Sequence, residues 1–152
     1  MREIEFRRAT ESDLAAIVAL LADDPLGKAR EDLREPLPKS YSDAFKALDA
    51  DPNQLLAVMT QDGRVIGTLQ LTFIPGLSRR GAWRGQIEAV RVAAGHQGAG
   101  LGRRMFEWAI AQCRARGCSL VQLTTDRSRA DAHRFYEGLG FTGSHIGYKL
   151  TL

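Results

Sequence analysis

Cysteine is scarce in this sequence: Cys113 and Cys118 are its only two in 152 residues. They flank the end of one predicted helix instead of joining distant segments, so a disulfide framework is excluded and reduced thiols in a cytoplasmic protein are expected. Histidine is also thin. His96, His133 and His145 stand singly, without the C-x-x-C or H-x-x-x-H spacing that gathers ligands, so no metal is expected. Long hydrophobic runs are missing as well. The opening MREIEFRRATESDL has no apolar signal segment, and no run approaches the roughly 18 apolar residues of a membrane span. Neither secretion nor a membrane partner is expected. Charge of one sign is not gathered into blocks: the net charge is +3, with arginines dispersed along the chain. Such an excess suits an anionic ligand or a solvated arginine-rich surface equally. Nucleic-acid binding needs clustered cations with interleaved aromatics, which only the Arg79–Arg84 loop approaches, so no nucleic-acid partner is expected.

What is present is ordinary globular composition, 44% apolar and 26% charged, over a length that suits one domain spanning 1–152. Ile4 to Arg8 alternates as a short strand. Thr10 and Asp13 resemble a capping box ahead of Leu14, Ile17, Val18 and Leu21 at helical spacing. Asp23 to Ser40, with Pro25, Gly27, Pro36 and Pro38, reads as a loop with a helical turn. Tyr41 to Ala50 reads as a helix ended by Asp51-Pro52. Two strands follow, Gln54 to Thr60 and Arg64 to Ile74, around a turn at Gln61-Asp62-Gly63. In the second, Val65, Gly67, Leu69, Leu71 and Phe73 fall on one face at period two. Pro75 to Gly85 reads as a loop. Then come a strand over Gln86 to Val92, a helix over about Ala99 to Arg116 stopped by Gly117, a strand over Ser119 to Thr125, a helix over about Ala130 to Leu139, and strands from Phe141 onward. The fold class is α/β: a mixed, mostly antiparallel sheet flanked by helices, in which a meander feeds a β-α-β crossover.

Gly95, Gly98, Gly100 and Gly102 crowd the start of a helix, each weakening it by about 0.5–1 kcal/mol relative to Ala within a helix. The first turn of a helix carries free N–H groups and the positive end of the dipole, and glycine lets a phosphate oxygen approach them. A tight packed turn is the alternative. A P-loop is excluded because Arg103-Arg104 follows Gly102 where Lys and Ser or Thr are required. A dinucleotide fingerprint is excluded because Arg103 stands where the third glycine belongs.

The stretch Gln97-Gly98-Ala99-Gly100-Leu101-Gly102 resembles the acyl-CoA-binding motif of the GNAT superfamily of N-acyltransferases, Gln/Arg-x-x-Gly-x-Gly/Ala, met by Gln97, Gly100 and Gly102. Ala132-His-Arg-Phe-Tyr-Glu-Gly-Leu-Gly-Phe141 is similar to the family's A-x-x-x-Tyr-x-x-x-Gly-Phe ending, and RRATESDLAAI to its opening strand and helix. The resemblance implies acetyl-CoA as cosubstrate, its pyrophosphate cradled by N–H groups of Gln97, Gly98, Ala99, Gly100, Leu101, Gly102 and Arg103. It also implies pantetheine lying along Val90, Arg91 and Val92, where two strands splay apart. The family often has Asn seven residues before the motif tyrosine; here that position is Arg129, an alternative contact to a CoA phosphate.

Acetyl transfer to an amine needs a neutral nitrogen, a stabilised oxyanion and a protonated leaving thiol. Alkylammonium groups have pKa about 10.4, so a base is required at neutral pH. Glu88 is the candidate base, read as sharing the strand face of Val90 and Val92; the alternative pairs it with Arg84 or Arg91. The resemblance places the Tyr136 hydroxyl near the CoA sulfur as general acid, the alternative being a core aromatic between Phe135 and Phe141. A strand N–H, that of Val92, is the candidate oxyanion donor. His133 reads as a surface residue near Tyr136. Arg79, Arg80 and Arg84 suit an acceptor carboxylate or face water. Trp83 suits the acceptor or a homodimer contact. The expected function is an N-acetyltransferase acting on a primary amine, a small molecule favoured; the alternative is a CoA-binding regulatory module without efficient catalysis.

Overall fold

Residues 3–152 are described here by a computed structural model. Alternation over Ile4–Arg8 forms strand β1, and Thr10 then starts a 3-10 turn, Glu11–Asp13, that runs into helix α1, Leu14–Ala22. The capping expectation holds: the Thr10 N–H donates to Asp13 Oδ2 at 2.7 Å. A one-turn helix α2, Gly27–Arg30, and helix α3, Lys39–Ala50, follow. Strands β2 (Gln54–Gln61) and β3 (Arg64–Ile74) are joined at Asp62 and Gly63, whose φ values of 50° and 79° suit a two-residue hairpin turn. A single turn α4, Ser78–Gly81, leads to β4 (Trp83–Val92). Helix α5 (Leu101–Ala115), β5 (Cys118–Gln122) and α6 (Ala130–Gly138) complete the order.

The five strands lie in sequence order in one sheet; the first four are antiparallel and β5 runs parallel to β4 after the α5 crossover. One face packs under α5: Leu101, Met105, Phe106, Ala109 and Cys113 meet Leu69, Leu71, Phe73 and Ile87. This spacing of three and four along α5 makes an apolar stripe on the face turned to the sheet. The opposite face is covered by α1 and α3, where Ile17 and Phe45 pack with Ala9 and Val58.

Three expectations need correction. Val65 does not share the face of Leu69, Leu71 and Phe73: a register shift beside Met59 and Thr60 sends Val65 to the α1 side and Ile66 to the α5 side. Strand β4 starts at Trp83, three residues earlier than read, because Gly85 pairs with Phe73 and Val121 on either side. Its glycine signals close packing and not a loop, since a Cβ there would lie 2.2 Å from Cys113 Sγ. The strands expected after Phe141 are not formed among residues 141–152. Phe141 itself packs into the core, and its N–H donates to the Tyr136 carbonyl at 3.0 Å, but a strand needs a paired edge and the following residues join none.

Candidate active site

The glycine run forms the floor of a pocket of about 310 Å3 lined by Val92, Gln97, Gly98, Gly100, Gly102, Arg103 and Phe135. Gly98 and Gly100 hold φ values of 83° and 75°, a region that L side chains rarely adopt, and apart from their own chain neighbours no described protein atom lies within 4 Å of where their Cβ atoms would be. Gly100 is the residue ahead of α5 and has no side chain to cap it. The first N–H groups of the helix, at Leu101, Gly102 and Arg103, are therefore presented at the pocket without a protein cap. Gln97 braces the loop by donating from Nε2 to the Val92 carbonyl at 3.2 Å. Arg103 pairs with Glu107 at 3.0 Å, its chain lying across exposed helix surface. A bare, unsatisfied, positively polarised helix start inside a pocket of this size fits a CoA pyrophosphate.

Phe135 was read in the sequence only as a neighbour of Tyr136, and here it walls the pocket. Its Cζ lies 3.8 Å from where a Gly102 Cβ would be, and its ring meets Phe106 edge-on at 5.5 Å. Nothing in the sequence signals this beyond its place next to Tyr136.

The pocket continues into a gap between strands. β4 and β5 are paired only from Trp83–Cys118 to Gln86–Gln122, whereas β4 runs on to Val92. Beyond Gln86 one edge of β4 thus lacks its neighbour, the opening in which the chain is expected to receive pantetheine. Within this stretch Ala89 has φ 55°, and the pairing with β3 slips between Gln70–Glu88 and Thr68–Arg91. Ala89 is an extra residue, a bulge.

The bulge reorders the faces. Ile87, Val90 and Val92 all pack toward the α5 core, while Glu88 and Arg91 point to the α1 side. Glu88 consequently does not share the face of Val90 and Val92, which corrects the reading from simple alternation. Its neighbours are polar: Gln86 Nε2 donates to Glu88 Oε1 at 3.4 Å, and Gln122 Nε2 to Gln86 Oε1 at 3.0 Å. On β3 and β2, Gln70 Nε2 and Thr72 Oγ1 donate to Gln54 Oε1 at 3.2 and 3.0 Å. These amides and hydroxyls make a strip across four strands that sequence reading did not foresee, because it depends on register.

Arg91 forms an ion pair with Asp24 at 3.1 Å, tying the α1–α2 joint to β4 just past the bulge. The Gly27 N–H, and then the charges of Arg91 and Arg129, hold the Asp24 carboxyl below its ordinary value. Arg129 precedes α6 and acts on Asp24 and Asp126, and it is not among the residues lining the glycine pocket. The His133 Nε2–H donates to the Asp126 carbonyl, 3.1 Å away, as a brace of the β5–α6 loop.

Tyr136 is half-buried, one face of its ring against the core. Its centroid lies 5.5 Å from Phe106, 5.7 Å from Phe135 and 6.2 Å from Phe141, all in edge-on geometry. The aromatic cluster joins α5 to α6 and fixes the phenol ring. Arg79 and Arg80 lie on α4 at the β3–β4 connection, at the far end of β4 from Val92 and the glycines.

Comparison with known proteins agrees with this geometry. The model of the Acetyltransferase (GNAT) family matches residues 16–141. The chain is 30% identical to the aminoalkylphosphonate N-acetyltransferase of Salmonella typhimurium over 148 residues, covering 97% of this chain and 91% of that protein. It is 30% identical to the glucosamine 6-phosphate N-acetyltransferase of Trypanosoma brucei brucei over 156 residues, covering 99% and 97% respectively. A crystal structure described as a transcriptional regulator from Bacillus halodurans C-125 is 47% identical, with a TM-score of 0.96 over 99% of this chain and 100% of that one. The chain belongs to the Acetyltransferase (GNAT) family, which uses acyl-CoA cosubstrates, and is an N-acetyltransferase.

Proposed function

We propose that the protein transfers the acetyl group of acetyl-CoA to the primary amine of a small polar molecule. The single observation that carries this reading is the pocket at the start of α5, opening beside the unpaired half of β4. Backbone N–H groups of Gln97 to Arg103 hold the pyrophosphate, Phe135 closes one side, and the edge of Val90 to Val92 lies along the pantetheine. When bound, acetyl-CoA supplies the thioester that the amine attacks.

The amine arrives from the α1 side, where Glu88 stands on the polar strip. Glu88 takes a proton from the ammonium, leaving a neutral nitrogen able to attack. Tyr136 gives its hydroxyl proton to the sulfur as the carbon–sulfur bond breaks, and the proton that the acylated nitrogen sheds restores the phenol. Amide and hydroxyl groups at Gln54, Gln70, Thr72, Gln86 and Gln122 suit a hydrophilic acceptor more than an apolar one. The names of the two curated relatives, an aminoalkylphosphonate and a glucosamine 6-phosphate N-acetyltransferase, support a small-molecule amine over a protein acceptor.

The test is release of free thiol from acetyl-CoA in the presence of a panel of amines: amino acids, aminoalkylphosphonates, amino-sugar phosphates, polyamines and aminoglycosides. Turnover with members of one class is expected. The description of the Bacillus halodurans relative as a regulator favours a second reading, a CoA-binding module without efficient chemistry. Calorimetric binding of acetyl-CoA with no turnover on any amine would establish that reading instead.

A further inference from the structure

Four arginines at the end of the sheet away from the glycine pocket have no part in the proposed chemistry. No acidic residue stands between Asp62 and Glu88 or between Glu107 and Asp126. The fold brings these two acid-free segments together: Trp83 pairs with Cys118, and Ser119 Oγ donates to the Trp83 carbonyl at 3.3 Å. Arg79, Arg80 and Arg84 come from the first segment and Arg116 from the second. Arg84 Nη1 lies 3.6 Å from where a Gly76 Cβ would be. The Arg116 guanidinium sits 4.2 Å from the centre of the Phe73 ring and donates to the Pro52 carbonyl.

None of the four has a carboxylate partner among the described residues, whereas Arg7, Arg34, Arg91, Arg103 and Arg134 each pair with one. The acids at the end of α3 are engaged locally: Asp51 Oδ1 accepts from the Asn53 N–H at 2.8 Å, and Asp49 lines a shallow cleft with Arg8 and Phe45. Arg79 and Arg80 hold successive left-handed backbone, φ 55° and 63°, closed by the Gly81 N–H donating to the Leu77 carbonyl at 3.0 Å. Backbone that L residues avoid gathers where a site has use for it. Beside these charges stand two apolar side chains that the core does not cover, Leu77 at 98% and Trp83 at 37% exposed.

We propose that this end of the sheet docks an acidic segment of another protein, whose carboxylates meet Arg79, Arg80, Arg84 and Arg116 while one of its apolar side chains covers Leu77 and Trp83. A guanidinium fork takes a carboxylate by two parallel hydrogen bonds, and four forks without a carboxylate on an acid-free surface fit a partner rich in them. Arginine and tryptophan around an exposed leucine is the composition of a protein interface, apolar at its centre and polar at its rim. A nucleic acid is matched less well. Trp83 alone offers a ring for a base among the described residues here, and four cations fall short of the roughly six to ten phosphates that a tight complex engages. The surface lies at the opposite end of β4 from Val92, so the partner sits there with the cofactor pocket open.

The test is fluorescence anisotropy of a labelled peptide of Glu-Glu-Leu repeats added to the full chain. Binding is expected, and is expected to weaken at least about tenfold between roughly 50 and 300 mM salt. Arg79→Gly combined with Arg80→Gly removes two charges at φ values that glycine adopts freely, so circular dichroism stays that of the parent; this variant is expected to bind the peptide at least about tenfold more weakly. Leu77→Glu, at an exposed position, is the second variant and is expected to act in the same direction. No binding at low salt, or binding that both variants leave at parental strength, overturns the proposal. Equal binding of a Lys-Lys-Leu peptide overturns the match of charge, and tighter binding of oligothymidine overturns the protein partner in favour of a nucleic acid.

Discussion

Glu88 and Val90, two positions apart on β4, lie on opposite faces of the sheet because Ala89 between them is a bulge residue with φ 55°. A left-handed backbone at a residue with a side chain costs about 1 kcal/mol or more, and strain of this kind gathers where a side chain must be re-aimed. Ala89→Gly is expected to keep activity and to change stability by less than about 0.5 kcal/mol, since relief of strain offsets added freedom of the unfolded chain. Ala89→Val is expected to destabilise by about 1–3 kcal/mol and to lower turnover, because a β-branched residue tolerates this φ poorly. Chemical denaturation and thiol release check both.

Tyr136 is held by three aromatic rings, and its hydroxyl is the one atom that Tyr136→Phe removes. That substitution is expected to reduce kcat about 100-fold, within the range of general acid catalysis, with KM for acetyl-CoA changed by less than about twofold. Unaltered kcat would remove Tyr136 from proton transfer and leave it a core aromatic. Thermal unfolding serves as the control, since the packing partners stay the same.

The limits of the sequence fall at particular residues. The five strands and the helix after the glycines were legible because period two and period 3.6 survive in a single chain. The pocket was legible because glycines at 98, 100 and 102 crowd a helix start, where bare N–H groups or a tight packed turn are what such residues serve. Glu88 was placed on the wrong face because a bulge leaves no mark on composition: Ala89 is ordinary in a strand and only the register with Gln70 and Thr68 reveals the extra residue. Gly85 reads as loop in one dimension because a glycine that admits Cys113 looks there like a glycine that turns the chain. The strip from Gln54 to Gln122 depends on pairing across four strands, information that no local window contains.

Gly100 combines a φ of 75° with a place at the pocket floor. Gly100→Asp adds a Cβ in the left-handed region and a carboxylate where phosphate is expected, so acetyl-CoA binding by calorimetry is expected to fall at least 100-fold. Aspartate is also a good helix-capping residue and tolerates this φ better than most, so the loss in stability is expected to stay under about 1 kcal/mol. Binding at parental strength would remove the cradle. Gly100→Asn, which has the same shape without charge, separates the two effects: binding closer to the parent than to Asp assigns the larger share to electrostatic repulsion.

Asp13 is the buried carboxylate that locks β1 to α1. Arg7 donates to it twice, at 2.7 and 3.0 Å, and the Thr10 N–H donates at 2.7 Å. The Arg7 hydrogen bond is the largest influence in holding the Asp13 carboxyl down from 3.8 to about 2; burial opposes it, and the Thr10 N–H adds to it. A carboxyl whose folded pKa lies below its unfolded one stabilises the fold above the unfolded value, and that contribution is lost as pH falls from about 4 toward 2. The shift corresponds to about 2 kcal/mol at neutral pH. Asp13→Asn is therefore expected to destabilise by about that amount at pH 7, where the amide leaves Arg7 without its charge partner. The gap between the two proteins narrows below pH 4 as the parent carboxyl takes up its proton. Urea denaturation at pH 7, 4 and 3 measures this directly, and a gap that stays constant across those pH values would assign the cost to packing and not to charge.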